Sequence, residues 1–225
     1  MLEYLIKANV LGMILFFIPA FYIFIRNNTP VENELVERKL YLACGAGAIF
    51  GSIAEAMILA GGLKSYSENI GFSSLIFVTP LITMTFLYLS VNFKTFRKDD
   101  YAGYYAAGVG LFYGASKEFW NLWVLETNIG ELSIGANLVD LLMGTSFVIL
   151  LGGCGLWMGE ACRVEKNKFR MFGRLTLICM FMNFLLVSSI EMTSMLIDYI
   201  AIVTVAVVGA SLLHRGQMKL LKTKR

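Results

Sequence analysis

The sequence is short of charge and of the residues from which most catalytic sites are built. Only 16% of its 225 residues are Asp, Glu, Lys or Arg, against roughly a quarter in water-soluble domains, while 57% are hydrophobic and mean hydropathy is +0.68. A chain this apolar is expected to have lipid as its solvent. It has one histidine, His214, which excludes paired-histidine haem ligation and the His-rich zinc sites of hydrolases. No G-x-x-x-x-G-K-[ST] phosphate loop occurs, so nucleotide is not an expected partner. The net charge of +3 is dispersed over short segments, which leaves no clustered basic face for nucleic acid. The three prolines (Pro19, Pro30, Pro80) come with no Ser/Gly linker, so residues 1–225 read as a single transmembrane domain. Cys44, Cys154, Cys162 and Cys179 show no C-x-x-C spacing and fall in or beside apolar runs, where a thiol behaves as a small hydrophobe. No cofactor and no resident metal are expected.

What the chain does have is long apolar runs. Crossing the hydrocarbon takes about 20 largely apolar residues in a helix, and runs of that length are too long for barrel strands. The expected fold is all-α, a polytopic membrane helix bundle of about seven transmembrane helices. The spans are 8–25, 40–63, 70–93, 104–125, 132–157, 171–190 and 194–213. The last two are separated only by the polar turn Ser188 to Ser194. The first run lacks the basic n-region, short apolar core and small-residue cleavage site of a signal peptide, so it is expected to be retained. Cytoplasmic segments retain an excess of Lys and Arg. Of the 19 basic residues, 16 fall after the first, third, fifth and seventh spans, and only Lys7, Lys64 and Lys117 fall on the other side. That bias puts the N-terminus outside and the C-terminus inside, and predicts an odd number of spans in a multi-pass protein of the cell membrane.

Ionisable side chains within a span cost about 2.5 to 3.5 kcal/mol each on insertion, so those retained there normally face protein, water or a partner. Five qualify: Glu55, Lys117, Glu118, Asp140 and Asp198. Counting along the helices places Glu55 and Glu118 roughly 21 to 22 Å from the cytoplasmic ends of their spans. Asp140 and Asp198 come out roughly 12 and 6 Å from the outer ends of theirs. All five are expected at one level in the outer part of the bilayer. Asn183 falls near it, and Asn121 and Asn137 lie one turn from Glu118 and Asp140. The bland alternative is that Asp198 and Lys117 merely reach the outer interface by snorkelling.

Two spans share a pattern, Gly47-x-x-Phe50-Gly51-x-x-x-Glu55 and Gly110-x-x-Tyr113-Gly114-x-x-x-Glu118. Residues four apart share a helix face, so in each case a small-residue stripe suited to close helix contact leads to a carboxylate. Two ordinary packing seams would explain the glycines equally well. The stretch Gly114-Ala-Ser-Lys-Glu118, with Asn121 and then Asn137-Leu-Val-Asp140-Leu-Leu, resembles the Lys-Glu and later Asp pattern of some VanZ-like envelope proteins. Gly144 stands where that pattern has Asn, and no function is carried across. Microbial rhodopsins also have seven helices with the N-terminus outside, but their Schiff-base lysine has no counterpart in the span 194–213.

Four carboxylates facing one lysine cannot all stay charged at low dielectric; some must be protonated, paired with Lys117 or occupied by a cation. The expected function is therefore a small transporter or channel-like protein coupled to protons or cations, with Glu55 and Glu118 as the ion sites. The alternatives are an intramembrane enzyme acting on a lipid-linked or peptide substrate, or a membrane sensor or assembly subunit. No adjacent Glu-Glu pair of the kind found in PrsW-type glutamate proteases is present, and one histidine supplies no nucleophile pair. The expected partners are the lipid bilayer, a small ion or solute, or another membrane protein.

Overall fold

A computed structural model describes residues 37–60, 74–129, 134–165, 167–191 and 195–223. The expected first span, 8–25, lies outside them. Every element among the described residues is helical. We number the main helices α1 (Glu37–Ala60), α2 (Thr79–Val91), α3 (Ala102–Ile129), α4 (Ile134–Val164), α5 (Lys168–Glu191) and α6 (Met195–Thr223). A π-helical turn, Ser74–Val78, leads into α2, and the single turn Lys94–Arg97 links α2 to α3.

Four of these helices, α1, α4, α5 and α6, are long and apolar enough to cross a membrane, as befits a membrane protein. Their outer faces carry large apolar side chains, among them Ile49, Ile53, Leu177, Phe181, Val203 and Val207. Such a surface would drive aggregation in water and is what a lipid-facing wall requires. Helix α3, which overlaps the expected span 104–125, is less apolar for a physical reason. From Ala102 to Lys117 every side chain is buried except half-buried Phe112, so α3 is surrounded by protein and needs no greasy exterior. Glycine, alanine and tyrosine there set packing distance rather than lipid solubility. The expected span 70–93 is realised as the π turn and α2, and the remaining helices run up to ten residues past the expected ends.

Glycine decides how the helices meet. A Cβ added at Gly51 would lie 2.5 Å from the Tyr113 carbonyl oxygen, and one at Gly110 would lie 2.2 Å from that of Leu151. Both neighbours are backbone, so the helices touch main chain to main chain and only glycine fits. Gly47 meets Val109 as Gly51 meets Tyr113, so α1 and α3 run parallel. Gly110 meets Leu151 while Gly155 meets Ala106, so α3 and α4 run antiparallel. Gly209 against Leu150 and Gly216 against Leu156 make α4 and α6 parallel, with the Trp157 indole donating to the Leu212 carbonyl at 2.9 Å. The row α1–α3–α4–α6 is thus one layer. Helices α2 and α5 lie across it, antiparallel to each other, through Met84 with Cys179 and Tyr88 with Phe172.

Charge is gathered at one end. Lys39 pairs with Asp99, and Arg163 pairs with Asp100 at 3.5 Å and with Glu160 at 2.8 Å. These contacts join the start of α1, the connection into α3 and the end of α4. The chain then reverses through Glu165 and Asn167, both in the left-handed region (φ 56° and 66°) that asparagine tolerates well and glutamate less so.

Candidate functional site

The steps that seat Gly47 on Val109 and Gly51 on Tyr113 continue one turn further and bring Glu55 alongside Lys117. Both are buried. The Lys117 Nζ lies 3.2 Å from the Glu118 Oε1, feels the charge of Glu55 as well, and stands 4.6 Å from the centroid of the Phe147 ring on α4. The ammonium therefore has carboxylates from two helices and an aromatic face as its surroundings. With every group ionised the trio carries one net negative charge.

One turn from this trio, α1 and α3 are tied by a chain of hydroxyls. Ser116 donates to the Ala48 carbonyl at 2.9 Å, and with its proton so committed it accepts from Ser52 at 2.6 Å. These groups satisfy one another. A different set does not. Thr79 and Thr83 on α2 and Tyr113 on α3 are buried, and their hydroxyl oxygens have no hydrogen-bond partner among the described residues. The Tyr113 hydroxyl lies near Thr83 without reaching hydrogen-bonding geometry, and it feels the carboxylate of Glu55.

Of the residues singled out from sequence, Glu55, Lys117 and Glu118 are brought together. Asn183 is half-buried on α5. Carried one turn on from the Met84–Cys179 contact, it lies level with the Thr79 end of α2. Asp198 is not part of the group. The Gly209–Leu150 contact carried back along the parallel helices puts it level with Val139, and α4 separates α6 from α3. The Gly110–Leu151 contact carried on along the antiparallel helices puts Lys117 level with Gly144, about five residues or about 7 Å along the axis from the level of Asp198. Its Oδ1 is buried without a hydrogen-bond partner among the described residues. Asp198 is thus set apart from the trio mainly by the helix that stands between them. The side chains of Asn121, Asn137 and Asp140 lie outside the described part of the structure.

Sequence reasoning passed over Thr79, Thr83 and Phe147, and quoted Tyr113 only as part of a packing motif. The available signal was Thr79-Pro80-x-x-Thr83, two hydroxyls on one face beside a proline. A shallow groove on the outer side of α1, lined by Arg38, Tyr41, Gly45 and Ile49 among others, holds no carboxylate and opens on the apolar surface, so it is not where the chemistry lies. Among the described residues no group of three or more His, Cys, Asp or Glu side chains could hold a metal ion. All four cysteines are buried, with the Cys154 and Cys179 sulfurs 3.7 Å apart.

No family model matches the chain, and no curated protein or solved structure matches it. The VanZ-like pattern is thus a likeness of a few residues.

Proposed function

We propose that the chain is a multi-pass cell-membrane protein of seven spans, N-terminus outside and C-terminus inside, that works as a small transporter or channel-like protein coupled to protons or cations. Glu55 and Glu118 are its ion-handling carboxylates and Lys117 is their counter-ion. The observation that carries this reading is a buried lysine beside carboxylates of two parallel helices, two acids to one base, which with every group ionised leave one negative charge in excess. Such an excess is costly at low dielectric, so a proton or cation is the natural third partner, and its arrival and departure is the elementary act of coupled transport.

The test is flux in liposomes containing the purified full chain. A proton or alkali-cation gradient should drive charge movement, and Glu55→Gln and Glu118→Gln should each lower it on the order of tenfold while expressing like the wild type. Undiminished flux in both variants would refute the assignment.

Topology supports the same reading. The three segments joined by the Lys39–Asp99 and Arg163 ion pairs are ones that the basic-residue bias assigns to the cytoplasm. A reporter fused after Arg225 or inserted near Lys166 should read cytoplasmic, and one near Asn128 or at the N-terminus should read external. An external tail would invert the site.

A further inference from the structure

Two cysteines and a methionine meet where the crossing helices rest on the row. The Cys154 and Cys179 sulfurs are 3.7 Å apart, in contact but not bonded, and the Cys179 thiol donates to the Met84 sulfur at 3.5 Å. All three side chains are completely buried. They come from α4, α5 and α2, far apart in the chain, so no short cysteine spacing announces them. Counted from Val164 and Lys168, where the chain reverses, Cys154 and Cys179 each lie roughly three turns in, about 15 to 17 Å from the charged end. The sulfurs are therefore at mid-span.

An ion bonded to three sulfurs around it at about 2.3 Å needs them about 4 Å from one another. The two edges that meet at Cys179 are close to that, so small side-chain rotations admit an ion. Thiolate and thioether are soft donors and select Cu(I), whereas hard cations require oxygen. Zinc takes four ligands, and among the described residues no third His, Cys, Asp or Glu joins the two cysteines. Charge is also balanced. Cu(I) brings one positive charge and the first thiol to become a thiolate gives its proton up to solvent, so the apolar core gains none. More sulfur flanks the cluster: Met158 and Cys162 follow Cys154 in four-residue steps on one buried face of α4, and buried Met182 lies one turn after Cys179 on α5. Since α4 and α5 run in opposite directions, Met158 and Met182 stand one turn to either side and give an entering ion soft donors to step between.

We infer that Cys154, Cys179 and Met84 form a binding site for a soft monovalent metal ion, Cu(I), at the junction of α2, α4 and α5. This goes beyond the ion-coupling reading and does not rest on it. None of the three ligands is Glu55, Lys117 or Glu118, so flux that depends on those carboxylates and Cu(I) binding at the sulfurs stand or fall separately.

The experiment is Cu(I) titration of the purified full chain in detergent, under argon with ascorbate and against a coloured Cu(I) chelator. The wild type should take one Cu(I) per chain from the chelator, and X-ray absorption at the copper edge should show sulfur neighbours only, at about 2.3 Å. Cys154→Ala and Cys179→Ala should each weaken the affinity roughly a hundredfold or more, and Met84→Leu, which keeps the volume of the side chain, on the order of tenfold. Cys44→Ala, at a buried cysteine on α1, should bind as the wild type does. Bound Cu(I) should also raise the melting temperature of the wild type and not that of Cys154→Ala. Should the alanine variants fail to fold, the wild-type spectrum and Met84→Leu decide. Failure of the wild type to hold Cu(I), oxygen or nitrogen neighbours at the copper, or binding unchanged in Cys154→Ala and Cys179→Ala each overturn the site. A Met84→Leu protein that binds with wild-type affinity overturns it as well.

Discussion

Gly51→Leu should cost about 3 kcal/mol or more, because the added side chain would meet main chain rather than a side chain that can turn aside. The Tyr113 carbonyl is 2.5 Å from where the first added carbon must go, so even Gly51→Ala has to force α1 off α3. Gly114 is less extreme. Its Cβ would stand 3.0 Å from the Val148 Cα and 3.3 Å from the Leu151 Cδ1, so alanine can be absorbed by a small shift and leucine cannot. Gly173 provides the control, with nothing within 4 Å of its Cβ position. Gly173→Ala should be neutral or gain up to about 1 kcal/mol from better helix propensity. Melting curves in detergent distinguish the cases. Wild-type melting in both Gly51→Leu and Gly114→Leu would mean that these faces do not touch.

Lys117→Met should be the most damaging single change at the site. It leaves buried Glu55 and half-buried Glu118 without their shared cation, a loss of up to about 3–5 kcal/mol when the partner of a buried ion pair is removed alone. Adding Glu118→Gln to Lys117→Met should restore part of the stability, since one of the two stranded charges is then gone. The double-mutant cycle should therefore show strong coupling between the two positions. Yield after purification and melting temperature measure both. If the double variant is as unstable as the sum of the singles, Lys117 acts through packing on Phe147 rather than through charge.

Much of this architecture could be read before any coordinates. Hydropathy located the helices because lipid imposes a blunt requirement on every exposed face, and it was weakest at α3 because a helix enclosed by protein escapes that requirement. Glu55, Lys117 and Glu118 stood out because an ionisable group in a span is costly wherever it points. The stripes at Gly47, Gly51, Gly110 and Gly114 were visible as stripes, but not what they touch: Gly51 faces α3 while Gly114 faces α4. The hydroxyls were hidden for a chemical reason. A threonine that bonds its own helix and one that does not are written with the same letter, so Thr79 and Thr83 looked no different from Thr85. Asp198 misled because depth along a helix does not say which helix stands between, and α4 separates α6 from α3.

The two ways in which these helices meet divide the molecule mechanically. Where α1, α3, α4 and α6 abut, carbonyl against glycine, any sliding by even an ångström drives atoms into one another, so that row can travel only as a single plank. Helix α2 has no glycine and rests on side chains instead, with Phe86 against Phe50, Tyr88 against Phe169 and Phe172, and Met84 against Cys179. Rings and thioethers can change rotamer and let a helix rock. A gate in this protein would accordingly swing on α2, the shortest of the six, with the plank as its frame.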